Sequence, residues 1–299
     1  MNKKRYMMYK QIFLSLAAVA LLASCSVKED RMKCVAPVTV RLSGFTVSQE
    51  DFPATRTTAE AADYNGINAV MLAIYTSDGS QQYKTIQVKT EPSTFTTFGE
   101  FELSLPMGSY TMVAIAYNAK AEYPFTLTSP TSAAYTGDHA YETFVATQAV
   151  NIGSTAAVDI SASLDRIISQ LKVVSTDGKT ANITNVRMTF SAGGRAFNPT
   201  TGYATVNTGF SNTVGNSAAV GTTSTSSTVF FLADDEQTMD VTIETLDAGG
   251  NTLFSKTVTD VPFQRNRITK LTGAMYTNTS IGGSFQLTTE WETEYSDTF

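Results

Sequence analysis

The sequence predicts an all-β chain, with two antiparallel β-sandwich domains in tandem behind a short leader. Three observations carry this. From residue 34 onward Thr, Ser, Val, Gly and aromatic residues dominate, the composition of pleated, half-buried surfaces. Apolar and polar residues alternate over short runs such as Val38-Thr39-Val40-Arg41-Leu42, which places every second side chain on one face. Turn-forming clusters, Ser77-Asp78-Gly79-Ser80 and Asp247-Ala248-Gly249-Gly250-Asn251 among them, separate these runs. The 299 residues suffice for about two ordinary domains.

The leader comes first. Lys3, Lys4, Arg5 and Lys10 form a basic region, residues 12–22 are apolar, and Leu22-Ala23-Ser24-Cys25 supplies small residues at a cleavage point. The apolar run is shorter than the roughly 20 residues a membrane-spanning helix needs. A cysteine directly after the small residues looks like the lipobox of bacterial lipoproteins. That implies removal of residues 1–24, acylation of Cys25 and a lipidated tether over 25–36, with lipid rather than protein holding the chain to a membrane. Cys34 is then left without a partner, so the chain is not a disulfide scaffold. Loss of the four leader cations takes the net charge from −6 to about −10, which disfavours nucleic acid and anionic membrane surfaces as partners. Lys28-Glu29-Asp30 reads either as a charged export signal, like that of some Bacteroidales lipoproteins, or as a solvated tether.

The first domain is expected over 37–162. Val38, Val40 and Leu42 form the inward face of an early strand. Over 51–64 the pattern lapses into Pro, Ala, Thr and charged residues, which reads as an exposed linker. Residues 67–75 are apolar enough for a central strand, and 83–88 return after the Ser77-Ser80 turn. Phe101-Glu102-Leu103-Ser104-Leu105 alternates and stops at Pro106-Met107-Gly108-Ser109, and 110–117 resume as a strongly apolar strand. Residues 119–148 are less regular, and 150–160 read as the strand that closes the domain.

The second domain is expected over 163–299, with the join near 160–164. Residues 164–174 fit a short helix by period, but their β-branched content and the following Asp177-Gly178 favour strand. Strands follow at 186–190, 229–232, 239–246, 253–258, 268–276 and 283–291. The Ser, Thr, Gly and Asn tract at 207–227 reads as a long surface loop.

Within the second domain, Val261-Pro262-Phe263-Gln264-Arg265-Asn266-Arg267-Ile268-Thr269-Lys270-Leu271-Thr272-Gly273-Ala274-Met275-Tyr276 resembles the fimbrillin family of Bacteroidales, the type V pilins and their accessory subunits. Asn266, Thr269 and Gly273 match that family's Asn-x-x-Thr-x-x-x-Gly form. The closing Phe285-Gln286-Leu287-Thr288-Thr289-Glu290-Trp291 matches its final strand, and Leu164-Asp165-Arg166-Ile167-Ile168 resembles the start of its second domain. Physical chemistry gives the same residues local roles: Asn266 sets a turn, and Gly273 marks a bulge or a close backbone approach.

The resemblance implies transthyretin- or Ig-like sandwiches and a structural subunit of a fimbrium. Such subunits assemble by β-strand complementation, support adhesion and lie at the outer membrane on the cell surface. The implied partners are other fimbrial subunits in a homo- or hetero-polymer, the outer membrane through the lipid, and an extracellular arginine-specific protease. Cleavage would fall at Arg56-Thr57, within Ala54-Thr55-Arg56-Thr57-Thr58; the alternative is an arginine in any solvated loop. Two segments are strand-exchange candidates: the early strand of Val38, Val40 and Leu42, and the closing strand of Phe285, Leu287 and Trp291. The closing strand either donates to a neighbour or finishes its own sheet, and the latter costs no association entropy. A stalk subunit would be cut at Arg56; an anchor subunit would keep strand and lipid.

Catalysis has little support. His139, the single histidine, follows Thr136-Gly137-Asp138 and reads as a solvated loop residue, and no pair of histidines exists to hold a metal. No Gly-x-Ser-x-Gly elbow appears, and nothing in the sequence calls for a cofactor. Asp234-Asp235-Glu236 reads as a charged turn, with calcium binding as the alternative. Glu100 and Glu102 flank Phe101 on a solvent face. The rival function is a surface lipoprotein that binds glycan as an uncut monomer. It would need several of Tyr83, Phe95, Phe98, Tyr123, Phe125, Tyr135, Tyr141 and Trp291 exposed on one surface.

Overall fold

A computed structural model describes residues 38–276 and 286–288, apart from 52–54, 62, 92–94, 122–123, 138 and 155; over 46–60 and 286–288 it describes the backbone alone. The described elements are β-strands throughout, numbered here in chain order. The first twelve are β1 (Val38–Leu42), β2 (Thr46–Asp51), β3 (Thr55–Glu60), β4 (Ala69–Thr76), β5 (Gln81–Val88), β6 (Phe101–Leu105), β7 (Gly108–Tyr117), β8 (Phe125–Ser129), β9 (Ser132–Tyr135), β10 (Thr143–Ile152), β11 (Val158–Ile160) and β12 (Ser163–Arg166).

Ten of these make two facing sheets, a three-stranded one in the order β11-β1-β6 and a seven-stranded one in the order β3-β2-β12-β10-β7-β4-β5. Their inner faces share one apolar core. Val38, Val40, Leu42, Phe101, Leu103 and Leu105 come from the smaller sheet, and Val70, Leu72, Ile74, Met112, Ala114 and Phe144 from the larger. Strands β4 and β7 are buried along nearly their whole length, because the far face of the larger sheet is covered too. Met71, Ala73, Val113, Ile115 and Tyr117 pack there in a second cluster with Leu127, Tyr135, Phe197 and Phe231. A strand covered on both faces reads as a continuous apolar run rather than an alternating one, which is the pattern at 67–75.

The remaining strands are β13 (Ile168–Ser175), β14 (Asn185–Phe190), β15 (Ala196–Phe197), β16 (Phe210–Gly215), β17 (Thr225–Phe231), β18 (Glu236–Leu246), β19 (Thr252–Gln264), β20 (Ile268–Gly273) and β21 (Gln286–Thr288). Two four-stranded sheets, β17-β13-β20-β21 and β16-β14-β18-β19, enclose a third core that includes Leu171, Val173, Met188, Phe190, Phe230, Val241 and Phe263. Strand β15 joins β9 and β8 in a small sheet, and Ala140 bridges Val229. Residues from both halves therefore build the second cluster, in which the Tyr135 and Phe231 rings stack at 6.4 Å and 10°.

The structure departs from the sequence expectations at particular segments. The expected linker at 51–64 holds β3, paired antiparallel with β2 over Thr46–Asp51. Its Thr-rich composition satisfies strand geometry without an apolar face. The irregular 119–148 contains β8, β9 and the start of β10. The expected strand at 150–160 is interrupted: β10 ends at Ile152 and β11 begins at Val158. The expected strand at 164–174 is two strands. β12 pairs with β10 and β2 in the seven-stranded sheet, β13 pairs with β17 and β20, and the chain changes sheets at Ile167. The expected loop at 207–227 contains β16, an edge strand that needs only one inward face. Its Asn212 amide donates to Thr228 Oγ1, and Lys179 Nζ donates to the carbonyls of Asn216 (2.6 Å) and Ala218 (2.9 Å) to hold the following turn. Both expected hairpin turns form. The Asp247 carboxylate accepts from the backbone N–H groups of Gly249 (2.9 Å) and Asn251 (2.8 Å), an Asx turn that closes β18 on β19.

Candidate functional site

The site begins with the pairing of β1. It runs antiparallel to β6, with Val38 opposite Leu105, Val40 opposite Leu103 and Leu42 opposite Phe101. It runs parallel to β11, with Val40 opposite Val158 and Leu42 opposite Ile160. Val38, Val40 and Leu42 are buried, and Arg41 points outward. β1 is thus the middle strand of its sheet. Beyond Leu42 the chain leaves that sheet for the other. Ser43 N–H donates to the Ile160 carbonyl at 3.1 Å, Gly44 takes φ = +64°, a conformation that favours glycine, and Phe45 buries its ring edge-on to Phe101 at 6.1 Å. The backbone then enters the seven-stranded sheet as β2, between β3 and β12. One short N-terminal segment therefore contributes a strand to each sheet.

Arg56 and Thr57 lie in β3, opposite Glu50 and Gln49 of β2. The expected free linker around this bond is a hairpin arm, although among the described residues β3 is the edge strand of its sheet. Leu287 lies in β21 opposite Leu271. Cys25, Cys34, Lys28-Glu29-Asp30, Phe285 and Trp291 lie outside the described residues.

At the end of β12, which pairs with β2, is a buried charged group that local sequence does not signal. Arg166 Nη2 lies 2.6 Å from Glu142 Oε1, and their side chains are 9% and 5% exposed. Tyr64 Oη donates to the same carboxylate oxygen at 2.7 Å and accepts from Arg166 Nη2 at 2.8 Å. The guanidinium sits 5.2 Å from the Phe144 ring centroid, and its Nη1 reaches Asn266 Oδ1 at 3.5 Å. Burial pushes the Glu142 carboxyl above the ordinary carboxylate range, against the opposing pull of Arg166 and the Tyr64 hydrogen bond. Burial likewise pushes the Tyr64 phenol well up. Gly66 passes so close that a side chain there would overlap Glu142 Oε2 and the Tyr64 ring. Arg166 belongs to the Leu164–Ile168 run that resembles the start of the fimbrillin second domain; Glu142, supplied from just ahead of β10, carries no sequence signal of this role.

The residues quoted for the family resemblance take structural roles. Asn266 has φ = +60°, and its N–H donates to the Ile168 carbonyl at 2.7 Å, making the turn into β20. Thr269 Oγ1 donates to the Pro262 carbonyl at 2.8 Å. Gly273 continues the ladder opposite Ser175 without a register shift. Where β20 ends, the Asp177 carboxylate accepts from the N–H groups of Met275 and Tyr276, both at 2.8 Å.

The other residues singled out also find places. Asp235 pairs with Arg265 at 2.7 Å, which makes 234–236 a charged turn. Glu100 and Glu102 are exposed. His139 is half-buried, and its ring lies 6.3 Å from that of Tyr141. Of the aromatic residues that a sugar platform would need, Tyr135 is buried and Phe125 packs on Tyr117, Tyr135 and Phe197. Phe95 and Phe98 pack edge-on at 5.7 Å, and Tyr123 lies outside the described residues. Tyr83 and Phe95 line one open hollow with Phe101, whereas Phe125, Tyr135 and Tyr141 belong to the second core cluster.

Comparison with known proteins gives the architecture relatives. A crystal structure of a candidate adhesin from Bacteroides ovatus superposes with a TM-score of 0.54 at 10% identity, covering 87% of this chain and 94% of that one. The fimbrial anchor protein of Porphyromonas gingivalis superposes with a TM-score of 0.52 at 13% identity, covering 84% and 95%. A second Bacteroides ovatus candidate adhesin gives 0.50 at 11% identity, covering 79% and 88%. At these identities the likeness is one of fold. No curated protein matches the chain by sequence. A family model, described as a family of unknown function (DUF6562), matches residues 33–298, and the chain belongs to that family.

Proposed function

We propose that this chain is a non-enzymatic fimbrial subunit, exported and lipid-modified at Cys25, whose β1 position serves as a strand-exchange slot after cleavage at Arg56-Thr57. The carrying observation is that β1 is the middle strand of the β11-β1-β6 sheet. Its departure leaves two facing backbone edges roughly 10 Å apart, the width of one missing strand. An edge strand lost from a sheet exposes one row of hydrogen-bonding groups; a middle strand exposes two, which is the geometry a donated strand completes. Burying Val38, Val40 and Leu42 contributes on the order of 5–9 kcal/mol, comparable with the whole stability of an ordinary domain. An emptied slot is therefore strongly driven to refill. Division of the mature chain into two sandwiches, joined where β12 gives way to β13, is part of the same reading. The shared fold with fimbrial and adhesin-class proteins supports it.

A second reading is favoured by one observation. The Arg56-Thr57 peptide is held in the β2–β3 ladder, and a protease must open that ladder before cutting. A subunit in which the ladder stays closed keeps β1 and its lipid, as an anchor would.

The test treats the mature protein with an arginine-specific protease and follows amide exchange in β6 and β11. We expect cleavage after Arg56, faster exchange in both strands once the released segment dissociates, and re-protection when a strand is supplied. Dissociation of the segment with both strands still fully protected would show that no slot opens.

A further inference from the structure

Charged side chains line the outer rim of the β1 position. Arg41 sits on the outer face of β1, opposite Glu102 on β6 and Asp159 on β11. All three line one open hollow of about 420 Å³, together with Glu100. The two flanking carboxylates belong to the strands that stay behind when β1 leaves. In the intact chain Arg41 stands in register between them; in an emptied slot they face each other across the gap with that cation gone. Opposite charges directly across strands stabilise a sheet, and like charges there destabilise it.

The closing segment of the same chain is a poor match for this rim. From Leu271 to Phe299 there is no Lys or Arg, while Glu290, Glu292, Glu294 and Asp297 are all acidic. If Phe285, Leu287, Thr289 and Trp291 supply the inward face, the outward positions are Gln286, Thr288, Glu290 and Glu292. In neither direction of insertion does a cation reach the position of Arg41, and one parallel alignment brings Glu290 there between two carboxylates.

We propose, on the strand-exchange reading above, that the slot takes a strand with a Lys or Arg at the Arg41 position, between inward apolar residues. It follows that the occupant is a basic strand of a different subunit rather than the closing strand of a second copy. The three apolar pockets supply affinity that many strands can use, and the Glu102–Asp159 pair supplies the discrimination.

The test uses the full mature chain, cleaved after Arg56 and freed of the released segment, with labelled peptides read by fluorescence anisotropy. The probes are residues 36–45, the same peptide carrying Arg41→Glu, and residues 283–299. The native peptide should bind, and the Arg41→Glu peptide should bind about 10- to 100-fold more weakly, from two cross-strand pairs reversed in sign. The gap should narrow in high salt, because the rim is exposed. The 283–299 peptide should bind more weakly than the native one. The Glu102→Lys/Asp159→Lys body, altered only at exposed positions, should prefer the Arg41→Glu peptide. Equal affinity for the native and Arg41→Glu peptides, or tighter binding of 283–299 than of 36–45, would overturn the charge-selection proposal while leaving the slot standing. Binding of none of the three would instead overturn the slot, and the proposal with it.

Discussion

Replacing Arg166 with Met should make the stability of this protein depend steeply on pH. The guanidinium lies 2.6 Å from a carboxylate whose side chain is 5% exposed, so the variant strands a buried charge, a change that costs about 3–5 kcal/mol in comparable settings. Glu142 can escape that cost by taking up a proton. The escape is limited by the distance of the solution pH from the ordinary glutamate pKa of about 4.3, at roughly 1.4 kcal/mol per unit. The protonation cost is about 1 kcal/mol at pH 5 and about 4 kcal/mol at pH 7. The sign follows from a folded-state pKa raised above the unfolded one: the stability is present below the unfolded pKa and is lost as pH rises toward the folded value. Urea unfolding at pH 5 and pH 7 should thus show Arg166→Met destabilised by about 1–2 and about 3–4 kcal/mol relative to the parent. Adding Glu142→Gln removes the stranded charge and should recover most of the loss at pH 7. Equal destabilisation at both pH values, with no recovery in the double variant, would mean that the ion pair is not buried as described.

Three further outcomes follow from the same structure. Gly66→Ala forces a methyl group against Glu142 and Tyr64 and should lower stability by about 1–3 kcal/mol, seen as a reduced thermal midpoint. Val40→Ala empties a fully buried position in β1 and should cost the intact chain about 1.5–3 kcal/mol. The same substitution should leave the cleaved body unchanged once its N-terminal segment has gone, as compared by urea midpoints before and after cleavage. Asp177→Ala removes the acceptor for two backbone N–H groups, so amide exchange at Met275 and Tyr276 should quicken, with a loss of about 1–3 kcal/mol.

Much of the scaffold was legible because burial writes itself locally. The alternation of β1 and β6 and the apolar runs of β4 and β7 record which faces are covered. The Asp247 and Ser77 turns record where the chain reverses. Strands whose existence depends on a partner's ladder were not legible. β11 fell inside the expected strand at 150–160; what went unread is the break after Ile152 that makes it a separate three-residue strand beside β1. β16 is polar because it is an edge, and its Ser, Thr and Asn content imitates a loop. β3 was hidden in the same way. At the site, Val38, Val40 and Leu42 announced a strand but not that it lies in the middle of its sheet, which is a fact about β6 and β11. Arg41 gave no hint that Glu102 and Asp159 flank it, since register across strands distant in sequence is set by the fold and not by any local pattern. Glu142 was hidden for a related reason. A buried carboxylate is defined by the cation it meets, and Arg166 arrives from another strand.

Whether the N-terminal strands detach from a fimbrial subunit is decided by the N-terminus of protein sheared from the cell surface, read by intact mass spectrometry. Detachment gives a chain beginning at Thr57, with the lipid, β1 and β2 gone. Surface material that uniformly begins at an acylated Cys25, with the Arg56-Thr57 bond intact, would contradict it and leave β1 as a permanent member of its sheet.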